Sequence, residues 1–311
     1  MQAFDHYTPT SLPDALDLLR HLNGQLPAED KSAIENPRPS DGQSKIQPVA
    51  GGSDLVIKLK KGLAAPKTII NIKRLPELKG LAYDDQSGLR LGALTTLGEL
   101  TRSPLIRRHY PCLAETAALM ASRQIRNFAT IGGNLCNASP SADSAPPLIA
   151  FGATVHLVSS QGERDLPLED FFLGPGQTAL APGELLQWID VPPPDGQTVY
   201  HKHTPRAFMD ISLVGVCVRL KIAERCCQLA RIVLGAVAPT PLRATQAEAV
   251  LLDQTLTPEL VEQAAKLAAG EAKPITDVGG SAWYRRRMVE VATRRSLHRI
   301  LDCHSIQNLE S

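Results

Sequence analysis

Apolar positions recur along this chain with two periods. Leu12, Ala15, Leu16 and Leu19 follow Ser11 at helical spacing, with Asp14 in the first turn and Gly24 as a stop, so a short amphipathic helix is predicted near the start. Residues 46–49, 68–72 and 89–91 are short aliphatic or β-branched runs with polar flanks, which predict strands joined by crossovers. Thr96 and Glu99 have the form of a capping box, and Leu113, Ala117 and Met120 make the stripe of a later helix. Residues 141–151 read as a helix with Pro146 and Pro147 in its first turn and Gly152 as its end, followed by a strand at 154–158.

The second half changes character. Val214, Val216, Val218 and Leu220 alternate, a second apolar strand follows at 229–237, and their close spacing predicts an antiparallel pair. Thr257 and Pro258 open a helix that Gly270 should end, and Val289, Ala292, Ser296 and Ile300 form the stripe of the last one. The Pro- and Gly-rich stretches at 174–183 and 192–194 place a boundary near residue 180, dividing 1–180 from 181–311. The polar segment 25–45, with Pro27, Pro37, Pro39 and Gly42, is expected to be a mobile surface excursion.

Composition narrows the function classes. With 311 residues and 43% hydrophobic residues the chain can bury a large core, and 33 basic against 32 acidic residues leave no footprint for nucleic acid or an anionic membrane. The start lacks a basic, apolar leader and no stretch reaches bilayer-spanning length, so a cytoplasmic protein is the expectation. The six cysteines show no C-x-x-C pairing; buried free thiols are expected, and the vicinal Cys226-Cys227 is read as chance adjacency. His201 and His203 alternate without a carboxylate or cysteine at ligand spacing and are read as surface histidines rather than a metal pair.

The chemistry is carried by two glycine motifs, Ala50-Gly51-Gly52-Ser53-Asp54-Leu55 and Thr130-Ile131-Gly132-Gly133-Asn134-Leu135. Paired glycines after a strand let successive backbone N–H groups face one concavity and cradle a pyrophosphate without a basic residue, with Ser53, Thr130 and Asn134 as rim donors. No G-x-x-x-x-G-K-[ST] exists, and the Rossmann pattern lacks both its glycine spacing and, as the sequence reads, its strand-to-helix context. Taken alone, either Gly-Gly pair is more often a tight turn.

The flanks of these motifs, Pro48-Val49 before the first, residues 91–100, Arg123-Gln124-Ile125-Arg126-Asn127-Phe128-Ala129 before the second, Asn137-Ala138-Ser139-Pro140 with Asp143, and Tyr284-Arg285-Arg286-Arg287, resemble the FAD-binding medium subunit of the molybdenum hydroxylases of xanthine dehydrogenase and carbon monoxide dehydrogenase type. That resemblance covers nearly the full chain. It implies an α+β fold: a two-lobed FAD-binding domain of the vanillyl-alcohol-oxidase type, then a smaller α+β domain with an antiparallel sheet and helices. It implies that Ala50 to Leu55 hold the FAD pyrophosphate through main-chain amides, that Thr130, Ile131, Gly132, Gly133 and Asn134 line the other side with Ser139, that Asp143 accepts a hydrogen bond from the cofactor's polar chain, and that Thr95 and Leu185 belong to the site. A basic residue near the flavin ring is implied too, with Lys202 or Arg206 as candidates; the bland alternative is a solvated strand end.

The sequence also departs from the family. Segment 25–45 is long, Ser53 stands where Thr or His is more familiar, and Cys136 is followed by Asn137-Ala138-Ser139 rather than by the cysteine-bearing insert of the 4-hydroxybenzoyl-CoA reductases, so FAD is expected as the only redox centre. With no histidine beside either motif, noncovalent FAD is expected. Arg285 to Arg287 are read either as a subunit contact or as a solvated helix face. The implied partners are a molybdopterin-binding large subunit, a 2Fe-2S iron–sulfur small subunit and an electron acceptor such as NAD, oxygen, a quinone or another carrier. Two rivals stand beside this reading: a self-contained FAD-dependent oxidase or reductase of the same fold, and a module for a different dinucleotide.

Overall fold

The structure, a computed structural model, describes residues 3–24, 46–207, 209–224 and 226–307; the expectation of a mobile excursion at 25–45 lies outside them. In chain order the first elements are β1 (Asp5–Tyr7), α1 (Leu12–Gly24), β2 (Ile46–Val49), α2 (Leu55–Lys60), β3 (Thr68–Asn71), β4 (Leu81–Asp84) and β5 (Gly88–Gly92). Then come α3 (Leu97–Arg102), α4 (Pro104–His109), α5 (Pro111–Leu119), α6 (Arg123–Arg126), α7 (Ile131–Cys136) and α8 (Ala145–Phe151). They are followed by β6 (Thr154–Ser159), β7 (Gly162–Pro167), α9 (Leu168–Phe171), β8 (Phe172–Gly174), β9 (Gln177–Thr178) and β10 (Leu185–Val191). The rest is β11 (Gln197–His203), β12 (Val214–Ala223), β13 (Cys226–Gly235), β14 (Leu242–Arg243), α10 (Thr245–Leu251), α11 (Pro258–Glu271) and α12 (Ala282–Gln307).

These elements pack as two units, neither of them one continuous stretch: residues 1–100, 122–139 and 153–193 form the first, and 101–121, 140–152 and 194–311 the second. In the first unit, β1, β3 and β2 make a parallel sheet in that order, so the chain does cross over between β2 and β3. Leu12, Ala15, Leu16 and Leu19 of α1 bury their stripe with Ile46, Ile70, Ile72, Leu75 and Leu78. A five-stranded antiparallel sheet, β4-β5-β10-β6-β7, completes the unit. The capping box at Thr96 is formed in full: Glu99 accepts from the Thr96 amide at 2.7 Å, and its own amide donates to the Thr96 hydroxyl at 3.1 Å.

The second unit is built on the antiparallel sheet β11-β12-β13-β14. The expected β12–β13 pair is there, with Val214, Val216, Val218 and Leu220 buried in the core shared with α10, α11 and α12. Gly152 ends α8 in the left-handed region, φ 79°, as the sequence predicts. Gly270 does not end its helix. Helix α11 continues to Glu271, whose carboxylate accepts from the amides of Gln246 and Ala247 and so caps α10, a long-range anchor that local pattern cannot show. Helix α5 stops at Leu119, with Met120 as a buried cap. No helix among the described residues is long and apolar enough to cross a membrane.

Candidate cofactor site

The first glycine motif sits between β2 and α2, so the strand-to-helix context that the sequence pattern hides is present. Gly52 takes φ 76°, a left-handed turn that costs a residue with a Cβ about 1–2 kcal/mol. The amides of Gly51, Gly52, Ser53, Asp54 and Leu55 find no acceptor among the described residues. Five consecutive unsatisfied donors at one turn form a concavity for an anion, and they pass the test that a pyrophosphate group sets. Gly51 itself has no freedom to grow: a Cβ on it would lie 1.9 Å from the carbonyl oxygen of Phe128.

That contact ties the first motif to the second, and the second is built differently. It does not follow a strand; Thr130 is the N-cap of α7, and both glycines lie in the helix's first turn. Their amides are spent. Ile131 N donates to Thr95 O, Gly132 N to Ala93 O, and Gly133 N to the Thr130 hydroxyl, at 2.9, 2.9 and 3.1 Å. The expected row of free amides therefore exists in only one of the two motifs. Gly132 is required for close packing, since its Cβ would lie 2.6 Å from that of Ala93, and Gly133 would press its own onto the Thr130 hydroxyl at 2.8 Å. A bond missed by pattern reading also joins the motifs: Lys58 on α2 donates to the Asn137 side chain, 2.7 Å away, just past α7.

Thr95 is buried and donates its hydroxyl to Gly80 O. Leu185 is buried on β10 in the core around α1, against which Ala50 also packs. Ser53 lies half-buried beside Asp54, with its hydroxyl 3.4 Å from that carboxylate. Ala50 to Leu55, Thr95, Thr130 to Asn134, Ser139 and Leu185 all belong to the first unit, whereas Asp143 and Lys202 belong to the second.

Around Asp143 the second unit assembles a buried polar cluster. The Tyr200 hydroxyl donates to Asp143 Oδ1 at 2.6 Å, Ser212 donates to the same oxygen, and Lys202 Nζ reaches Oδ2 at 2.9 Å and Leu119 O at 3.3 Å. Both members of the ion pair are nine-tenths buried or more, so Lys202 is not the solvated strand end of the bland alternative. Alternation on β11 explains the pattern, because Tyr200 and Lys202 share one face. Gly215 opposite makes room, since its Cβ would meet the Tyr200 oxygen. Burial first, and then the Asp143 charge, push the Tyr200 hydroxyl well above its ordinary range, which keeps it a neutral donor.

Other candidates resolve plainly. His201 and His203 are half-buried rather than superficial, and His203 Nε2 lies 3.0 Å from the Tyr284 hydroxyl. No group of three or more potential metal ligands occurs among the described residues. Arg206 is exposed and paired with Asp210 at 3.1 Å. Arg285 lies on neither a partner face nor a solvated one; it is buried, donates to Leu213 O at 2.8 Å and pairs with Asp277 at 2.6 Å, whereas exposed Arg287 pairs with Glu290. The six cysteines are free thiols, and burial pushes Cys136 up to about 12.

Known proteins converge on one description. Residues 2–194 match the family model of the FAD-binding domain in molybdopterin dehydrogenase, and 199–300 that of the CO dehydrogenase flavoprotein C-terminal domain. The chain is similar to the carbon monoxide dehydrogenase medium chain of Afipia carboxidovorans, 32% identical and covering 96% of each chain. It is also similar to a putative xanthine dehydrogenase FAD-binding subunit of Escherichia coli K12, 31% identical over 81% of this chain and 87% of that one. Among solved structures, carbon monoxide dehydrogenase from Hydrogenophaga pseudoflava superposes with a TM-score of 0.86 over 97% of this chain and 98% of the other, at 32% identity. With both halves matched and the amide turn in place, this chain belongs to the FAD-binding medium subunits of the molybdenum hydroxylases, and it is an oxidoreductase flavoprotein subunit.

Proposed function

We propose that this chain is the electron-transfer subunit of a three-part enzyme, in which a molybdopterin-binding large subunit oxidises the substrate and a 2Fe-2S small subunit relays electrons to the FAD held here. The observation that carries this reading is the row of five amides from Gly51 to Leu55 that find no acceptor among the described residues, a ready pyrophosphate cradle. When bound, the flavin supplies the exchange between one-electron and two-electron chemistry. The chain's own residues do the holding: the turn binds the pyrophosphate, Gly132 lets α7 close on Ala93, and Thr95, Thr130, Ile131, Gly133, Asn134, Ser139 and Leu185 shape the walls of the site.

Asp143 and Lys202 enter this proposal as a pair. The carboxylate takes three donors and the ammonium is neutralised locally, so Lys202 acts as one half of a buried ion pair rather than as a free cation. Electrons leave to NAD, oxygen, a quinone or another carrier. The test compares anaerobic bleaching of the flavin by the enzyme's substrate. In the assembled complex the substrate should reduce the flavin, and with the isolated, FAD-loaded chain it should not; reduction of the isolated chain would make it a self-contained flavoprotein and overturn the proposal.

A further inference from the structure

Helix α2 follows the amide turn directly, so whatever holds the helix in place also holds the turn. A six-residue helix is far below the length that is stable on its own in water, and packing gives this one little support. None of its residues is fully buried, and no described helix or strand packs extensively along it. Its ends are shaped by the backbone: the Gly52 turn precedes it, and at its C-terminus Leu63 N donates to Lys58 O while Gly62, at φ 69°, takes the left-handed position of a Schellman cap. Those bonds are local. They form the helix without fixing where it lies.

One side chain supplies the anchor. Lys58 donates to Asn137 Oδ1 at 2.7 Å, across 79 residues of sequence, and this is the one side-chain hydrogen bond from α2 to another element among the described residues. A nearer partner is at hand, because Asp54 stands four residues earlier, the spacing at which Asp–Lys pairs form on a helix surface. Its carboxylate lies instead 3.4 Å from the Ser53 hydroxyl and pairs with no described lysine. Asn137 is the C-cap of α7, and its amide donates to Gly133 O at 3.0 Å, so the Lys58 ammonium grips the end of the helix that opens with the second glycine motif. Before the turn the two motifs already touch: Gly51 lies against the Phe128 carbonyl, and a Cβ on Gly133 would stand 3.9 Å from that of Ala50. The amide turn is thus held against the second motif at its start by close packing, and just past its end by Lys58.

We propose that Lys58 is a positioning residue for the cofactor: its bond to Asn137 braces the first glycine motif against the second and keeps the amides of 51–55 in the arrangement that binds pyrophosphate. This rests on the reading of that turn as the FAD cradle. Lys58 acts through the turn rather than by touching phosphate. Without the brace α2 shifts, fewer chains carry a formed cradle, and the apparent affinity falls by that fraction. An exposed hydrogen bond from a charged group is a modest constraint, so the effect is modest too.

The experiment titrates the flavin-free full chain with FAD, alongside thermal melts, for wild type, Lys58→Met, Asn137→Ala, the double variant and Lys58→Arg. Each of the first two should bind FAD roughly three- to tenfold more weakly, and the double variant no more weakly than either alone. Lys58→Arg, which keeps the charged donor, should stay within about twofold of wild type, and the thermal midpoint of the flavin-free chain should not move. Unchanged FAD affinity in Lys58→Met and Asn137→Ala overturns the brace. So does a loss that Asn137→Ala does not share, which makes Lys58 a direct phosphate ligand, and so do losses that multiply in the double variant. A loss that Lys58→Arg fails to restore, or that comes with a lower midpoint, overturns it as well. Gly51→Ala run beside them separates this proposal from the reading beneath it: if that variant weakens FAD and the Lys58 and Asn137 variants do not, the cradle stands and the brace falls, and if none of them weakens FAD, both fall.

Discussion

Replacing Gly51 by alanine places a Cβ 1.9 Å from the Phe128 carbonyl oxygen and 2.7 Å from its carbon, with Ala129 Cα at 3.1 Å. All three neighbours are main-chain atoms, so no side chain can swing aside, and the two segments must part. Overpacking of this kind costs about 1–3 kcal/mol, and where that strain falls on the site, at about 1.4 kcal/mol per decade, the expected loss in FAD affinity is roughly five- to 150-fold. The assay is titration of flavin-free chain with FAD, alongside thermal melts. Gly62→Ala is the control: it needs a left-handed residue, φ 69°, but its Cβ meets nothing within 4 Å, so it should cost about 1 kcal/mol of stability and no FAD affinity. A Gly51→Ala chain that binds FAD within about twofold of wild type, and melts with it, would refute the cradle at 51–55.

Three further outcomes follow from the geometry. Asp143→Asn leaves the buried Lys202 ammonium unpaired and should destabilise the fold by about 3–5 kcal/mol, with the Asp143→Asn/Lys202→Met double variant costing clearly less than the sum, as read by urea unfolding. Burial, His203 and two arginines hold His201 below the usual histidine value of 6.5, and burial and Arg295 do the same to His203, so the folded chain binds fewer protons than the unfolded one. Stability should therefore be lost as pH falls through 6.5 toward the lowered folded values, and a His201→Gln/His203→Gln variant should flatten that loss in thermal melts. Alkylation of the native chain should label exposed Cys303 ahead of buried Cys112 and Cys217 and of Cys136, whose thiol is pushed up to about 12, as mass spectrometry of the digested chain would show.

Much of the fold is legible in the amino-acid sequence. The stripe of α1, the capping box at Thr96, the proline-led start and glycine stop of α8, and the alternation of β12 are local signals, and each appears where its pattern places it. What local pattern misses depends on distant partners. β1 is three exposed residues that exist as a strand because β3 pairs with them in parallel, and α11 outlasts Gly270 because Glu271 is needed by α10. The site shows the same limit. Both Gly-Gly pairs read as amide cradles, yet Thr95 O and Ala93 O, contributed from more than thirty residues upstream, consume the amides of Ile131 and Gly132 in the second motif. The arginine run at 285–287 looks uniform in sequence, but its first member turns inward to the Leu213 and Ala236 carbonyls while Arg287 stays at the surface. A motif alone does not show which amides remain free; the packing decides that.

The most direct measurement is the absorption spectrum of the natively purified chain before and after dithionite, with acid-released cofactor identified by chromatography. Flavin bands that bleach on reduction, and FAD released into the acid supernatant, are the expected result. A colourless chain that takes up no FAD when it is supplied would contradict the account, and flavin that stays with the acid-precipitated protein would contradict its noncovalent binding.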